Sequence, residues 1–177
     1  MCMIETRPVI ETRRLTLRAP LRADAARMAE LANDFDVVRM TSRMPHPYAV
    51  KDAEDFIDRC EQRDWENDAT FALDLEDEGF VGCLGFFRND AGQLETGYWI
   101  GRPWWGRGLA TEALKGALVW ASKEWGKRCV TAGHFEDNPA SGTVLTKAGF
   151  LYTGVVRRQP SLARGGEVPC RMMVWLA

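Results

Sequence analysis

Polar and apolar residues alternate from Arg14 to Arg18, the two-residue period of a strand with one buried face. After Pro20 the spacing lengthens. Met28, Leu31, Ala32 and Phe35 recur every three or four positions, which predicts a short helix with Asp24 placed to cap it. A loop with Pro45 and Pro47 leads to a second amphipathic helix, marked by Ala53, Phe56, Ile57, Cys60 and Trp65 on a charged background. The middle of the chain then becomes β-prone at Phe71–Leu75, Val81–Phe87 and Glu95–Ile100. Turns are expected at Glu78-Gly79 and Asn89-Asp90-Ala91-Gly92, so an antiparallel meander is the economical reading. Helical spacing returns from Arg107 to about Trp125 and stops at Gly126. A strand at Cys129–Phe135, a helix from about Asn138 to Ala148, and closing strands at Phe150–Val156 and Cys170–Leu176 complete the pattern, with Arg164-Gly165-Gly166 between the last two. Strands followed by helix, strand, helix and strand predict a mixed α/β sheet with one βαβ-like segment.

Length and charge narrow the functional classes. The 177 residues fit one domain, 1–177, and no repeat or low-complexity linker divides them. With 23 Lys and Arg against 25 Asp and Glu, the chain lacks the basic excess of a protein that grips nucleic acid through phosphates. No apolar run approaches the roughly 18 residues that a membrane span needs, and the first residues lack the apolar stretch of a secretory signal. The five cysteines, Cys2, Cys60, Cys83, Cys129 and Cys170, are odd in number and form no C-x-x-C pair. That argues against a metal cluster or a disulfide framework and for reduced thiols in a cytoplasm.

The stretch that carries most chemistry runs from Tyr98 to Ala113. A strand enters a loop in which Gly106 and Gly108 stand just before a long helix. Glycines one residue apart let the backbone bend sharply and keep side chains from between its amides and a ligand. The first amides of the helix lack intrahelical partners and sit at the positive end of the macrodipole, a natural place for a diphosphate. Two familiar phosphate motifs do not fit. Gly101-x-x-x-x-Gly106 begins like a P-loop, but Arg107-Gly108 stands where Lys-Ser/Thr is required. The dinucleotide fingerprint fails at its third glycine and at the acidic ribose ligand, where Arg128 and Cys129 stand instead.

The run Trp104-Trp105-Gly106-Arg107-Gly108-Leu109-Ala110-Thr111-Glu112-Ala113 resembles the coenzyme A pyrophosphate loop of the GNAT N-acetyltransferase superfamily. Its nearest likeness is the RimJ/RimL-like branch, which contains ribosomal-protein N-terminal and spermidine acetyltransferases. Three further segments agree, in order: Glu11-Thr12-Arg13-Arg14-Leu15-Thr16-Leu17-Arg18 with the opening strand, Glu95-Thr96-Gly97-Tyr98-Trp99-Ile100 with the fourth strand, and Asn138-Pro139-Ala140-Ser141 with Lys147-Ala148-Gly149-Phe150. The resemblance covers about residues 11–157. It departs at Pro103, where the Q/R-x-x-G-x-G pattern begins with Gln or Arg.

The resemblance implies a single-domain α/β fold with a mostly antiparallel mixed sheet, flanking helices and a splayed central strand pair, where Gly97 or Gly101 would permit a bulge. It implies transfer of acetyl from acetyl-CoA, without a metal, to a primary amine: a protein N-terminal α-amine or a small molecule. It implies that pantetheine pairs with the main chain of Tyr98, Trp99 and Ile100, a backbone N–H near Trp99 or Ile100 meeting the oxyanion, and that the pyrophosphate lies on amides of Trp105, Gly106, Arg107, Gly108, Leu109, Ala110 and Thr111. Asn138 would bond pantetheine, or simply cap its helix. Glu95 is the first candidate for the general base, and His134 the rival, since imidazole titrates near neutrality; Glu136 comes after them. The tyrosine that many members use to protonate the thiolate is Leu145 here, so the proton would come from Ser141, whose hydroxyl otherwise bonds backbone in its own helix. His46, Phe87 and Tyr152 are candidates for the acceptor pocket. Net charge of -2 provides no general acidic surface for a polyamine, although Glu76-Asp77-Glu78 forms a local cluster. A module that binds acyl-CoA as a sensor or partner protein is the alternative; oligomeric state is not readable from the sequence, with a homodimer the fair prior.

Overall fold

The structure, a computed structural model, describes residues 7–177; Cys2 and the amino-terminal signal reading lie outside that range. Its strands are β1 (Ile10–Glu11), β2 (Leu15–Arg18), β3 (Ala69–Leu75), β4 (Gly79–Arg88), β5 (Leu94–Ile100), β6 (Cys129–Phe135), β7 (Leu151–Ser161) and β8 (Gly166–Leu176). The helices are α1 (Ala25–Ala32), α2 (Phe35–Val38), α3 (Val50–Gln62), α4 (Leu109–Lys123) and α5 (Pro139–Lys147). One sheet holds all eight strands in the order β1-β2-β3-β4-β5-β6-β8-β7. Every neighbouring pair is antiparallel except β5 and β6.

Alternation sets the two faces of that sheet. Phe71, Leu84 and Tyr98 share a face across β3, β4 and β5. Phe71 meets Trp120 of α4 edge-on at 5.3 Å, so α4 covers this face. His134 of β6 lies below α5, near Gly142, on the same side. The opposite face carries Cys83, Glu95 and Trp99, with α1 against β4 and the Cys60 thiol of α3 close enough to Cys83 to be felt electrostatically. Trp65 lies beyond the end of α3 and packs edge-on to Phe71 at 5.4 Å.

The local departures from the expected elements have physical causes. Phe35 is not part of the first helix. The chain leaves α1 at Asn33, and Asp34 starts α2 by accepting the Asp36 N–H, which leaves Phe35 exposed. Asp24 precedes α1 without capping it, because its carboxylate is taken by Arg18 at 2.8 Å and by the Leu21 N–H. The other side of the Arg18 fork holds Asp74. The closing hairpin is longer than the apolar runs indicate: β7 continues through Arg157-Arg158-Gln159-Pro160, and β8 begins at Gly166. β7 is an edge strand, which tolerates Pro160 and polar side chains on both faces. At the end of α4, Gly126 adopts φ 69°, which lets the Lys127 N–H return to the Ala121 carbonyl.

Candidate active site

β5 and β6 touch through a single bridge, Glu95 with Thr131, and then diverge. No bulge produces this splay: β4 and β5 keep one register from Gly82–Ile100 to Arg88–Leu94, and the Gly101 N–H continues the ladder to Val81. Gly101 serves another purpose, since a Cβ there would lie 2.9 Å from the buried Trp104 ring. The ladder alternates, and Gly101 bonding to Val81 fixes its phase. Trp99 therefore turns its N–H and C=O toward β4. Tyr98 and Ile100 turn theirs into the gap, where the Ile100 carbonyl accepts the Trp105 indole N–H at 2.7 Å.

The loop after β5 is latched from several sides. Trp104 donates its indole N–H to Glu78 at 2.5 Å, and the Arg107 guanidinium reaches the same carboxylate at 3.1 Å. These two donors, Trp104 first, hold the Glu78 carboxyl below its ordinary range. Arg102 forks onto Asp34 and Asp36 at the start of α2. Gly106 and Gly108 have φ of 74° and 75°. The left-handed region, which costs other L-residues roughly 1–2 kcal/mol, explains glycine at both. Packing within the chain adds no further requirement, since a Cβ at Gly106 would meet nothing within 4 Å and one at Gly108 only Arg14 at 3.8 Å.

Of the amides expected on the pyrophosphate, the Trp105 N–H is already given to the Arg102 carbonyl at 3.1 Å, whereas those of Gly106, Arg107, Gly108, Leu109, Ala110 and Thr111 donate to no acceptor among the described residues. They form a row of six donors at the positive end of the 15-residue α4. Behind the row, Glu112 accepts from Thr12 Oγ1 at 2.8 Å, from the Arg14 N–H at 2.7 Å and from Arg14 Nε at 2.8 Å, while Arg14 also bonds the Arg107 carbonyl. Burial pushes the Glu112 carboxyl up, but the bonds from Thr12 and Arg14 outweigh it and hold the group below its usual range. None of these latches has a signal in spacing, because each joins residues far apart in sequence.

Across the gap, α5 begins at Asn138, whose side chain accepts the Ser141 N–H at 3.2 Å. Ser141 Oγ lies 2.8 Å from the Tyr98 hydroxyl, whose one proton goes either to that oxygen or to the Ser141 carbonyl at 3.2 Å. Tyr98 thus ties β5 to the start of α5 across the gap, a role the sequence did not suggest for its side chain. Burial is the first cause that pushes its phenol up, to about 12.

Glu95 and His134 lie on opposite faces of the sheet: Glu95 pairs with Thr131, and His134 is three residues further along β6. Glu95 is half-buried, accepts Asn89 Nδ2 at 3.0 Å and stands opposite Phe87. His134 is buried on the α5 side with both nitrogens occupied. In the neutral ring Nδ1 donates to the Phe135 carbonyl at 2.9 Å, and Nε2 accepts from the Tyr152 hydroxyl at 2.9 Å. Tyr152 accordingly lies away from Glu95, while Phe87 lies beside it. Glu136 pairs with Arg171 at 3.3 Å, and the exposed His46 meets the Phe35 ring edge-on. Among the described residues no group of three His, Cys, Asp or Glu is arranged to hold a metal.

A strand gap with free main-chain groups, leading to six free amides at a helix start, can hold an extended arm that ends in a diphosphate. Comparison with known proteins agrees with this geometry: residues 14–151 match the family described as the acetyltransferase (GNAT) domain. The chain belongs to the GNAT acetyltransferase family. Over 150 residues it is 28% identical to the uncharacterized N-acetyltransferase p20 of Bacillus licheniformis, covering 82% of this chain and 84% of that one. Mycobacterium smegmatis RimJ in complex with CoA-disulfide has the same fold, with a TM-score of 0.84 and 20% identity over 97% of this chain and 88% of its own. The Vibrio cholerae spermidine N-acetyltransferase, solved with CoA and spermine, gives 0.75 and 18% over 92% and 95%. This GNAT chain is a single sheet with helices on both faces.

Proposed function

We propose that this GNAT protein transfers acetyl from acetyl-CoA to a primary amine, a protein α-amine or a small molecule. The observation that carries the reading is the row of free amides from Gly106 to Thr111 beside a strand gap. The CoA bound by the RimJ and spermidine acetyltransferase structures supports it. The amides hold the pyrophosphate. The Tyr98 and Ile100 main chain, turned into the gap, pairs with the pantetheine arm as an added strand pairs with an edge. Its remaining N–H groups meet the oxygen of the thioester as that oxygen gains negative charge.

Glu95 takes a proton from the acceptor ammonium, directly or through a water. The neutral nitrogen then forms its bond to the acetyl carbon, and the carbon–sulfur bond breaks. Ser141, its hydroxyl held by Tyr98, gives a proton to the departing thiolate, and the second proton shed by the nitrogen as the amide forms passes through solvent to restore the serine hydroxyl. Glu95 is favoured over His134 as the base because the imidazole has no nitrogen left for an acceptor. The described cysteines Cys60, Cys83, Cys129 and Cys170 are all free thiols, which fits a cytoplasmic setting. No described helix is long and apolar enough to cross a membrane.

Steady-state thiol release from acetyl-CoA with a panel of amines tests the proposal, alongside direct measurement of coenzyme binding. Acceptor-dependent release is the expected result. Tight coenzyme binding without stimulation by any amine would replace transfer with the acyl-CoA-binding role.

A further inference from the structure

The face of the sheet that carries Glu95 has an unusual charge arrangement. Phe87 and Glu95 are directly opposed on β4 and β5, so their side chains are immediate neighbours. The Arg43 guanidinium lies 4.5 Å from the centre of the Phe87 ring. Arg43 is exposed and forms no ion pair or hydrogen bond among the described residues. Stacking orients its planar fork while leaving the N–H donors unused. Further along the same face, Phe135, Cys170 and Arg157 lie in one row across β6, β8 and β7. The Cys170 thiol is near enough to feel the Glu95 charge. Arg157 is also exposed and without an ion pair among the described residues.

Two other arginines nearby are already neutralised. Arg164, stacked on Phe135, bonds Asp137 at 2.7 Å, and Arg39 pairs with Asp36 at 2.9 Å. These contacts also fix the geometry. Arg164 Nε donates to the Arg39 carbonyl at 2.7 Å, and the Leu162 N–H donates to the Ser42 carbonyl at 3.1 Å. The segment bearing Arg43 is therefore tied to the β7–β8 hairpin and held over the Glu95 face. Beside one unpaired carboxylate, the protein keeps the Arg43 guanidinium with no carboxylate of its own to satisfy it among the described residues.

We infer that the acceptor of this site is a primary amine carrying an acidic group, whose carboxylate or phosphate is held by Arg43 above Phe87 while the amine faces Glu95. The inference rests on acetyl transfer at the Glu95 face and adds the acceptor's chemical class. An arginine fork matches a carboxylate or phosphate through two parallel hydrogen bonds. The same cation repels a polyamine, whose charges would all be positive. The acidic group can belong to the second residue of a peptide or to a small anionic amine.

The test compares a pentapeptide with Glu at position two against its Gln counterpart, with free glutamate, O-phosphoethanolamine and spermidine as small-molecule arms. We expect kcat/KM for the Glu peptide or for the anionic small amines to exceed that of the neutral peptide and spermidine by about 10-fold or more, in keeping with a charge-assisted bond. Whichever anionic arm is fastest identifies the source of the acid. In Arg43→Gln the acidic-to-neutral ratio should fall toward one, and Arg43→Lys, which keeps charge but loses the fork, should restore part of it. The ratio should also shrink as salt is raised. Calorimetric binding of the Glu and Gln peptides to the CoA-saturated protein gives the same ratio without turnover. Thus, if no amine is acetylated, transfer fails as a reading, and the binding ratio still decides the anion site. Equal kcat/KM and equal binding for acidic and neutral acceptors, faster turnover of spermidine, or a preference unchanged in Arg43→Gln would overturn the inference.

Discussion

Two hydroxyls 2.8 Å apart join elements across the gap that the sheet leaves open: Tyr98 on β5 and Ser141 on α5. With its phenol pushed up to about 12, Tyr98 stays protonated throughout the neutral range and can keep donating to Ser141. Ser141→Ala is expected to lower kcat by roughly 100-fold, the low end for loss of a general acid, with coenzyme affinity changed little. Tyr98→Phe keeps the ring and loses only the bond, so the fall should be smaller, about 10-fold, in kcat rather than KM. Single-turnover acetyl transfer in both variants checks this, and undiminished rates would remove the pair from the chemistry. Linkage gives a second readout. The folded state holds the phenol proton more tightly than the unfolded chain, so this preference stabilises the fold below about pH 10 and is lost as pH rises toward 12. The stability difference between the parent and Tyr98→Phe should shrink over that interval in urea titrations. For Glu95→Gln the acidic limb of the pH–kcat/KM profile should flatten, whereas a parental limb would assign the base elsewhere. Sequence reasoning named Glu95, Ser141 and Tyr98 as candidates, but it used only the main chain of Tyr98. A hydroxyl pair separated by 43 residues leaves no trace in local spacing.

At the level of elements, the start of α4 was the most readable part of the chain. Gly106 and Gly108 before a long apolar-periodic stretch report a backbone requirement, and both occupy left-handed φ. Their latches were not readable, because long-range side-chain pairing has no period. Glu112, in the first turn of α4, is one such latch: its bonds to Thr12 and Arg14 tie the helix to the β1–β2 turn. Glu112→Gln keeps the shape but weakens charge-assisted bonds, and should cost about 1–3 kcal/mol of stability. Its pH dependence has a definite sign. Because the folded-state carboxyl titrates below its ordinary value of 4.5, the latch contributes fully above that pH and is lost as pH falls through the lower folded value. The parent should therefore lose its advantage over Glu112→Gln in acid, measured by denaturant titration between neutral pH and pH 3. An advantage that persists unchanged at pH 3 would show that the carboxylate is not what fastens the helix. The α1–α2 break failed to show in the sequence for a related reason: Phe35 keeps the helical spacing, and only the Asp34 cap ends the run.

For the whole molecule, the order of elements and the antiparallel meander were legible because hydrophobic period and turn residues agree across the chain. The β5–β6 splay was reached only through resemblance, since a gap between strands is a feature of packing rather than of either strand's pattern. It also makes a global prediction. The gap leaves β5 and β6 joined by one bridge, and the coenzyme would supply the missing link between the two halves of the sheet. A ligand that binds only the folded state stabilises it by about 2.7 kcal/mol at 100 times its Kd. For a domain of this size, each kcal/mol raises Tm by roughly 2–4 °C, so saturating CoA should raise Tm by about 5–10 °C. Gly108→Asp should abolish that shift, because it places a side chain and a negative charge among the amides meant for phosphate. Its own Tm without ligand must be compared as well, since φ of 75° at Gly108 strains any side chain. A lowered baseline with the CoA shift intact would mean that the glycine serves only the turn, and that the diphosphate binds elsewhere. An equal shift with ATP would mean that the amides recognise polyphosphate without the pantetheine arm, and the strand gap would then lose its assigned purpose.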